Sequence, residues 1–219
     1  MHKECFSEKG WKVLYVLKDM LTKYNAILAG GTALALHLGH RISLDLDFFT
    51  NKDFKVESII SGIRKTGYPF RVISEGEEHL IADVDGIKVS FFKYDYPFTD
   101  SPAIYKGIKI AGLLDIASMK VIAICQRGTK RDFVDLYFIL RDMPFHRMAE
   151  HMVKRFGRER INPVHIGKSL VYFSDADADP EPVYIKGREL KWETVKKFFR
   201  SHVKQFVLDI DGAVKESLP

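Results

Sequence analysis

The hydrophobic period of this chain changes once, near residue 110, and that change limits the possible architectures more than any other feature. Before it, short apolar runs and strict alternation stand between helix-like segments; beyond it, every periodic segment has helical spacing. A first amphipathic helix is expected over residues 11–24, with Val13, Leu17, Met20, Leu21 and Tyr24 on one face. Residues 26–29 form a short apolar run that stops at Gly30-Gly31. Thr32 then opens ALALHL, whose Ala and Leu content favours helix up to Gly39. Residues 43–49 alternate through Asp47 and predict a strand. Residues 54–66 predict a helix broken by Gly67-Tyr68-Pro69. Residues 70–74, 79–84 and 87–94 predict strands, the last two joined by a hairpin at Asp85-Gly86. Helices follow over 113–126, 130–140, 147–156, 166–173 and 192–208. The expected class is α+β, with a mixed sheet flanked by helices over residues 1–110 and a helical portion over 111–219.

The 219 residues fit one large domain or a core with an appendage, and 46% hydrophobic content is enough to bury a core, which excludes intrinsic disorder. No apolar run reaches a membrane span; the best candidate, 113–125, is broken by Asp115 and Lys120. Residues 1–12 carry Glu4 and Glu8 and lack a signal-peptide core. Cys5 and Cys125 are too few for a disulfide framework or a zinc site, so a cytoplasmic protein is expected. The 34 Lys+Arg against 29 Asp+Glu give a net charge of +5, compatible with a polyanionic partner without identifying one. Basic residues concentrate at 186–204 (Lys186, Arg188, Lys191, Lys196, Lys197, Arg200, Lys204) and acidic ones at 75–85 and 175–181. Asp175, Asp177 and Asp179 do not form a calcium loop: the sixth and twelfth positions hold Pro180 and Lys186 where Gly and Glu are required. They read as a polar loop.

Chemistry concentrates in residues 29–49. Gly30-Gly31-Thr32 falls between a predicted strand and a predicted helix. Backbone without Cβ atoms can approach an anion there, and the free N–H groups of a helix start point at it. Asp45 and Asp47, at i and i+2 on a strand, project from one face, with Leu44, Leu46 and Phe48 turned to the core. Paired carboxylates repel unless a cation lies between them, and they can hold Mg²⁺ bridging substrate phosphates. Each feature also has an ordinary structural reading, as a tight turn and a solvated sheet edge. Further on, Lys120 and Arg127 are two helical turns apart in an otherwise apolar helix. Asp132 and Asp135 share a face of the next helix, where they could orient Lys120, serve as a base or form an interhelical salt-bridge network.

Gly-Gly-Thr, the twelve residues 33–44, then Asp-x-Asp resembles the signature of the DNA polymerase β-like nucleotidyltransferase superfamily. More closely, GGTALALHLGHRISLDLDFF with Lys120, Arg127 and RDFVDLYFIL resembles the AbiEii/AbiGii group of nucleotidyltransferase toxin-like proteins, and the likeness continues through YFSDADADPEP and the Trp192 segment. The resemblance implies a nucleotidyltransferase core whose cleft is completed by the helical portion. It also implies nucleotide transfer from an NTP, in some members onto tRNA, and an antitoxin partner. Carried over, Asp45 and Asp47 would hold Mg²⁺ or Mn²⁺. Gly30, Gly31, Thr32, Arg41, Ser43, Lys120 and Arg127 would bind the nucleotide, and Lys120, Asp132 and Asp135 would join Asp45 and Asp47 as catalytic residues. The superfamily usually adds a third carboxylate on a neighbouring strand. Here that place falls to Ser90, with Asp83 and Asp85 at the hairpin and Asp95 at the strand end. A rival expectation follows, that of a decayed relative acting as a nucleotide- or protein-binding module. His37 and His40 are expected on the helix surface instead of at the site.

Overall fold

A computed structural model describes residues 1–217. The chain divides into two units, Met1–Gly112 and a second that begins at Leu113. Among the described residues no helix is long and apolar enough to cross a membrane.

The N-terminal unit is a seven-stranded mixed sheet with helices. After a short turn at Lys3–Cys5 come α1 (Glu8–Val16) and α2 (Lys18–Lys23), then β1 (Ile27–Ala29), α3 (Gly30–Leu38), β2 (Leu46–Thr50), α4 (Val56–Lys65), β3 (Phe70–Gly76), β4 (His79–Val84), β5 (Ile87–Lys93), β6 (Ala103–Tyr105) and β7 (Ile108–Ile110). The strand order is β3-β4-β5-β2-β1-β7-β6, which puts β2 at the centre. It pairs antiparallel with β1 on one side and parallel with β5 on the other. Phe48, Leu46, Phe91, Val89 and Leu80 pack on one side of the sheet, where Tyr24 and Phe54 meet the Phe91 ring edge-on at 5.9 and 5.0 Å. Full burial of a side chain the size of Phe48 contributes about 1.5–3 kcal/mol. Asp47, Phe49, Ser90 and Phe92 alternate onto the opposite side.

Several expected boundaries shift. The single helix expected over 11–24 is two, divided at Leu17. α3 begins at Gly30, because Ala29 takes the extended N-cap conformation and Gly30 itself starts the turn. β2 begins at Leu46, so Ser43 and Asp45 lie in the segment before it, and Leu44 is 63% exposed where the alternation placed it in the core. Tertiary bonds hold that segment away from the sheet ladder, as described below. The Asp85-Gly86 hairpin forms with both residues at positive φ, as a type I′ turn requires. A second hairpin, β6–β7 at Lys106-Gly107, has the same pair of positive φ angles.

The C-terminal unit is helical: α5 (Leu113–Gln126), α6 (Lys130–Leu140), α7 (Phe145–Phe156), α8 (Pro163–Leu170), α9 (Ser174–Asp177) and α10 (Trp192–Glu216). α7 begins two residues earlier than expected, after Pro144, and α8 starts on Pro163 with the Asn162 side chain accepting from the His165 N–H. α10 runs eight residues past its expected end, burying Val195, Phe199, Phe206, Ile210 and Ala213 along one stripe. Phe145 stacks on Phe206 at 4.1 Å. The segment read as a polar loop contains α9, and it is docked: Asp179 Oδ2 accepts the Lys130 N–H at 2.9 Å, and Asp177 Oδ1 accepts from Trp192 Nε1 at 2.6 Å.

Candidate active site

Two clusters hold the predicted site residues, one in each unit. In the N-terminal unit, β1 delivers the chain into α3 and β2 returns beside it, with Ala29 opposite Asp47 in the ladder. Gly30 has φ +65°, and a Cβ there would stand 2.8 Å from Asp47 Oδ2. A Cβ on Gly31 would stand 2.4 Å from an Arg41 guanidinium nitrogen and 3.5 Å from Ser43 Oγ. The two glycines therefore let the helix start lie directly against the carboxylate, the guanidinium and the hydroxyl that the motif supplies. Thr32 Oγ1 is 2.8 Å from Ser43 Oγ and also within bonding distance of the Asp45 carbonyl. A carbonyl only accepts, so Thr32 gives its single proton to Asp45 O and takes the proton of Ser43. The Ser43 N–H donates to Cys5 O at 2.9 Å, and Arg41 Nη1 donates to Ile42 O at 3.1 Å. These bonds set the shape of the segment carrying Ser43 and Asp45.

The same-strand argument for the two aspartates is thus corrected: Asp47 belongs to β2, and Asp45 lies in the segment before it, its carbonyl bonded by Thr32. Arg41 and Ser43 are buried, and Asp45 and Asp47 are partly exposed. Carboxylate, hydroxyl and backbone N–H donors are the types that suit a hard divalent cation carrying phosphate oxygens. The close seat of Gly30 on Asp47, which a Cβ would fill, keeps that carboxylate next to the Gly30-Gly31 turn. Among the described residues, no group of three or more His, Cys, Asp or Glu gathers as a metal site. Asp47's neighbour on β5 is Ser90, buried at 2% exposure. Asp83 Oδ1 instead accepts the Gly86 N–H at 2.9 Å, Asp85 pairs with Lys9 at 3.2 Å, and Asp95 lies 3.8 Å from Lys93. His37 is half-buried, its Nε2 2.9 Å from Ala111 O, and burial lowers its pKa. His40 is fully buried, not on the surface.

In the C-terminal unit, Lys120 Nζ lies 2.8 Å from Asp132 Oδ1 and 2.7 Å from Asp135 Oδ2, and all three side chains are buried. Arg127 closes on Asp132 with Nε to Oδ2 at 2.9 Å and Nη2 to Oδ1 at 3.1 Å, and Thr129 Oγ1 donates to Oδ2 at 2.7 Å. Burial alone would raise the Asp132 carboxyl; the neighbouring Lys120 and Arg127 charges overcome it and bring the pKa down to about 2. Asp132 is therefore a fixed anion with both oxygens engaged, suited to hold Lys120 and Arg127 and unsuited to take a proton. Lys120 and Arg127 converge on one carboxylate, while the Arg127 side chain remains 64% exposed. A second buried polar cluster was not anticipated from the sequence. His151 Nε2 lies 2.9 Å from Asp115 Oδ1, and Arg155 Nη1 donates to Asp115 O at 2.7 Å. Its sequence trace is the His151/Arg155 i, i+4 pair on α7, whose partner lies on α5.

The mixed sheet, with Asp47 on its central strand behind a glycine-led helix start, has the fold of solved nucleotidyltransferases. Solved structures share this fold. The nucleotidyltransferase toxin MenT4 (Rv2826c) of Mycobacterium tuberculosis H37Rv matches with a TM-score of 0.60 and 17% identity over 93% of this chain and 89% of that one. JHP933 of Helicobacter pylori matches at 0.56 and 17% identity over 96% and 97%. The family model described as nucleotidyl transferase AbiEii toxin, type IV toxin–antitoxin system, matches residues 12–107 and 88–215. The uncharacterized protein aq_aa25 of Aquifex aeolicus (strain VF5) is 45% identical over 185 residues, 82% of this chain and 87% of that protein. The chain belongs to the AbiEii nucleotidyltransferase toxin family.

Proposed function

We propose that this nucleotidyltransferase moves a nucleoside monophosphate from an NTP to a hydroxyl of RNA, with tRNA the first candidate, in a Mg²⁺-dependent reaction (Mn²⁺ substituting). The observation that carries this reading is the seat of Gly30 against Asp47, which joins a phosphate-facing helix start to a metal-type carboxylate. Asp45 and Asp47 hold the cation. Gly30, Gly31 and Thr32 bind the triphosphate with the orphan N–H groups of the α3 start, and Arg41 and Ser43 fix the segment that presents Asp45. When bound, Mg²⁺ supplies charge neutralisation for in-line displacement at the α-phosphorus. Lys120 and Arg127 add positive charge for the same reaction, and Asp132 positions both. Asp135, paired with Lys120, is the remaining carboxylate proposed to act in catalysis. The exposed Lys197, Arg200 and Lys204 on α10 form a phosphate-binding stripe for the acceptor strand. A protein antitoxin is the partner that the toxin family suggests, and the cytoplasm is where NTP and tRNA meet.

Incubation with labelled NTPs, Mg²⁺ and total tRNA tests the reading. Wild type is expected to label RNA, and the double variant Asp45→Ala/Asp47→Ala is expected to label none. Equal labelling by the two overturns the site. An NTP–Mg²⁺ thermal shift without any transfer would return the chain to the binding-module reading.

A further inference from the structure

We propose that the N-terminal unit holds one divalent cation on its carboxylates, not two, and that Ser90 sets this number. The inference rests on the nucleotidyl-transfer reading and adds to it the stoichiometry of the metal site.

Asp47 has two lateral neighbours in the sheet. On β1 it faces Ala29 and on β5 it faces Ser90, in register. Neighbouring strands are about 4.8 Å apart, and register partners share a face, so β5 at this position is where a carboxylate would stand to share an ion with Asp47. Ser90 fills it with a short, neutral side chain at 2% exposure, and the next strand continues the row with Ile81. Asp83 and Asp85 are taken up by the hairpin turn and Lys9, and Asp95 lies by Lys93. None of the three is in register with Asp47, and no third His, Cys, Asp or Glu joins the aspartate pair among the described residues.

The chemistry of the donors then fixes the count. A Mg²⁺-sized ion takes six oxygens in near-ideal octahedral geometry, and two carboxylates with waters or phosphate oxygens satisfy one such ion. Two ions at the roughly 3.5–4 Å spacing of two-metal sites carry twice the charge that two carboxylates neutralise, and repel each other across a short gap. Without a carboxylate on β5, a second ion finds in the N-terminal unit only waters and a buried hydroxyl to hold it. Any further cation in the reaction arrives on the triphosphate as part of the substrate.

The test is an Mn²⁺ titration to saturation without nucleotide, followed by electron paramagnetic resonance, on wild type, Ser90→Ala, Ser90→Asp and Asp45→Ala/Asp47→Ala. The expected counts are one ion per chain for wild type and Ser90→Ala, two for Ser90→Asp, and none for the double variant. Thermal unfolding establishes that each variant is folded. A wild-type count of two or zero overturns the proposal, as does a folded Ser90→Asp that stays at one. Should Ser90→Asp not fold, the wild-type and Ser90→Ala counts decide alone, and a fall on removing the hydroxyl counts against the proposal. The transfer assay separates the two readings. A count of one with no RNA labelling leaves the metal site standing while nucleotidyl transfer fails. A count of two with labelling intact does the reverse.

Discussion

Gly30 combines a positive φ with a seat too close to Asp47 for any side chain, so a substitution there meets both strain and collision. Gly30→Ala is expected to cost about 1–3 kcal/mol, seen as a lowered Tm, and to abolish RNA labelling because Asp47 must rotate away from the helix start. Arg41 in the seat of Gly31 makes Gly31→Ala a milder version, since Gly31 lacks the positive φ of Gly30 and a guanidinium at the end of a long side chain shifts more readily than the short Asp47 carboxylate. Asp132 predicts a pH effect. Its folded pKa of about 2 lies below the ordinary 3.8, so the stability it contributes is complete above about pH 4 and is lost as pH falls through 2. The size is about 2 kcal/mol. Asp132→Asn removes that contribution and leaves Lys120 with Asp135. Its Tm should lie below that of wild type at neutral pH, with the gap closing toward pH 2 in a thermal-unfolding series.

At the scale of elements, the segments legible in the sequence are those whose signal is local. α5 and α6 carry uninterrupted helical periodicity, and the β4–β5 hairpin announces itself through Asp85-Gly86. The Gly-Gly-Thr and Asp-x-Asp pieces of the candidate site are legible for the same reason. What escaped depends on contacts between distant residues. Residues 43–45 alternate like a strand, yet Thr32, eleven positions before Ser43, and Cys5 draw their polar groups away from the ladder. The Asp115–His151 pair spans 36 positions, and no local pattern could announce it. The short edge hairpin β6–β7 was missed although Lys106-Gly107 carries a turn signal, because three-residue strands offer too few alternations to count. α9 and its flanks show a further distant dependence. Asp179 receives the first N–H of α6, acting as an N-terminal cap from 49 positions away. Asp179→Ala is expected to cost about 1 kcal/mol, read as a Tm decrease, with little change in nucleotide transfer.

At the scale of the molecule, the excess of five positive charges says less than its placement. Lys197, Arg200 and Lys204 follow i, i+3, i+7 spacing on the exposed side of α10, and Arg200 lies over the Phe173 ring at 5.2 Å. Replacing all three by alanine is expected to reduce the slope of log Kd for single-stranded RNA against log salt by about 2, at roughly 0.7 per phosphate contact. A filter-binding series across salt concentrations measures it, and an unchanged slope would remove α10 from the acceptor path. The strand order has a consequence of another kind. β2 lies fourth of seven, hydrogen-bonded along both edges, so its amides can exchange with deuterated solvent only when the sheet itself opens. Asp47 is thus anchored on a segment with little local breathing of its own. Any ion that requires its folded position will slow exchange throughout the surrounding sheet, by a factor of one plus the ratio of its concentration to its Kd, and not merely at the residues it touches.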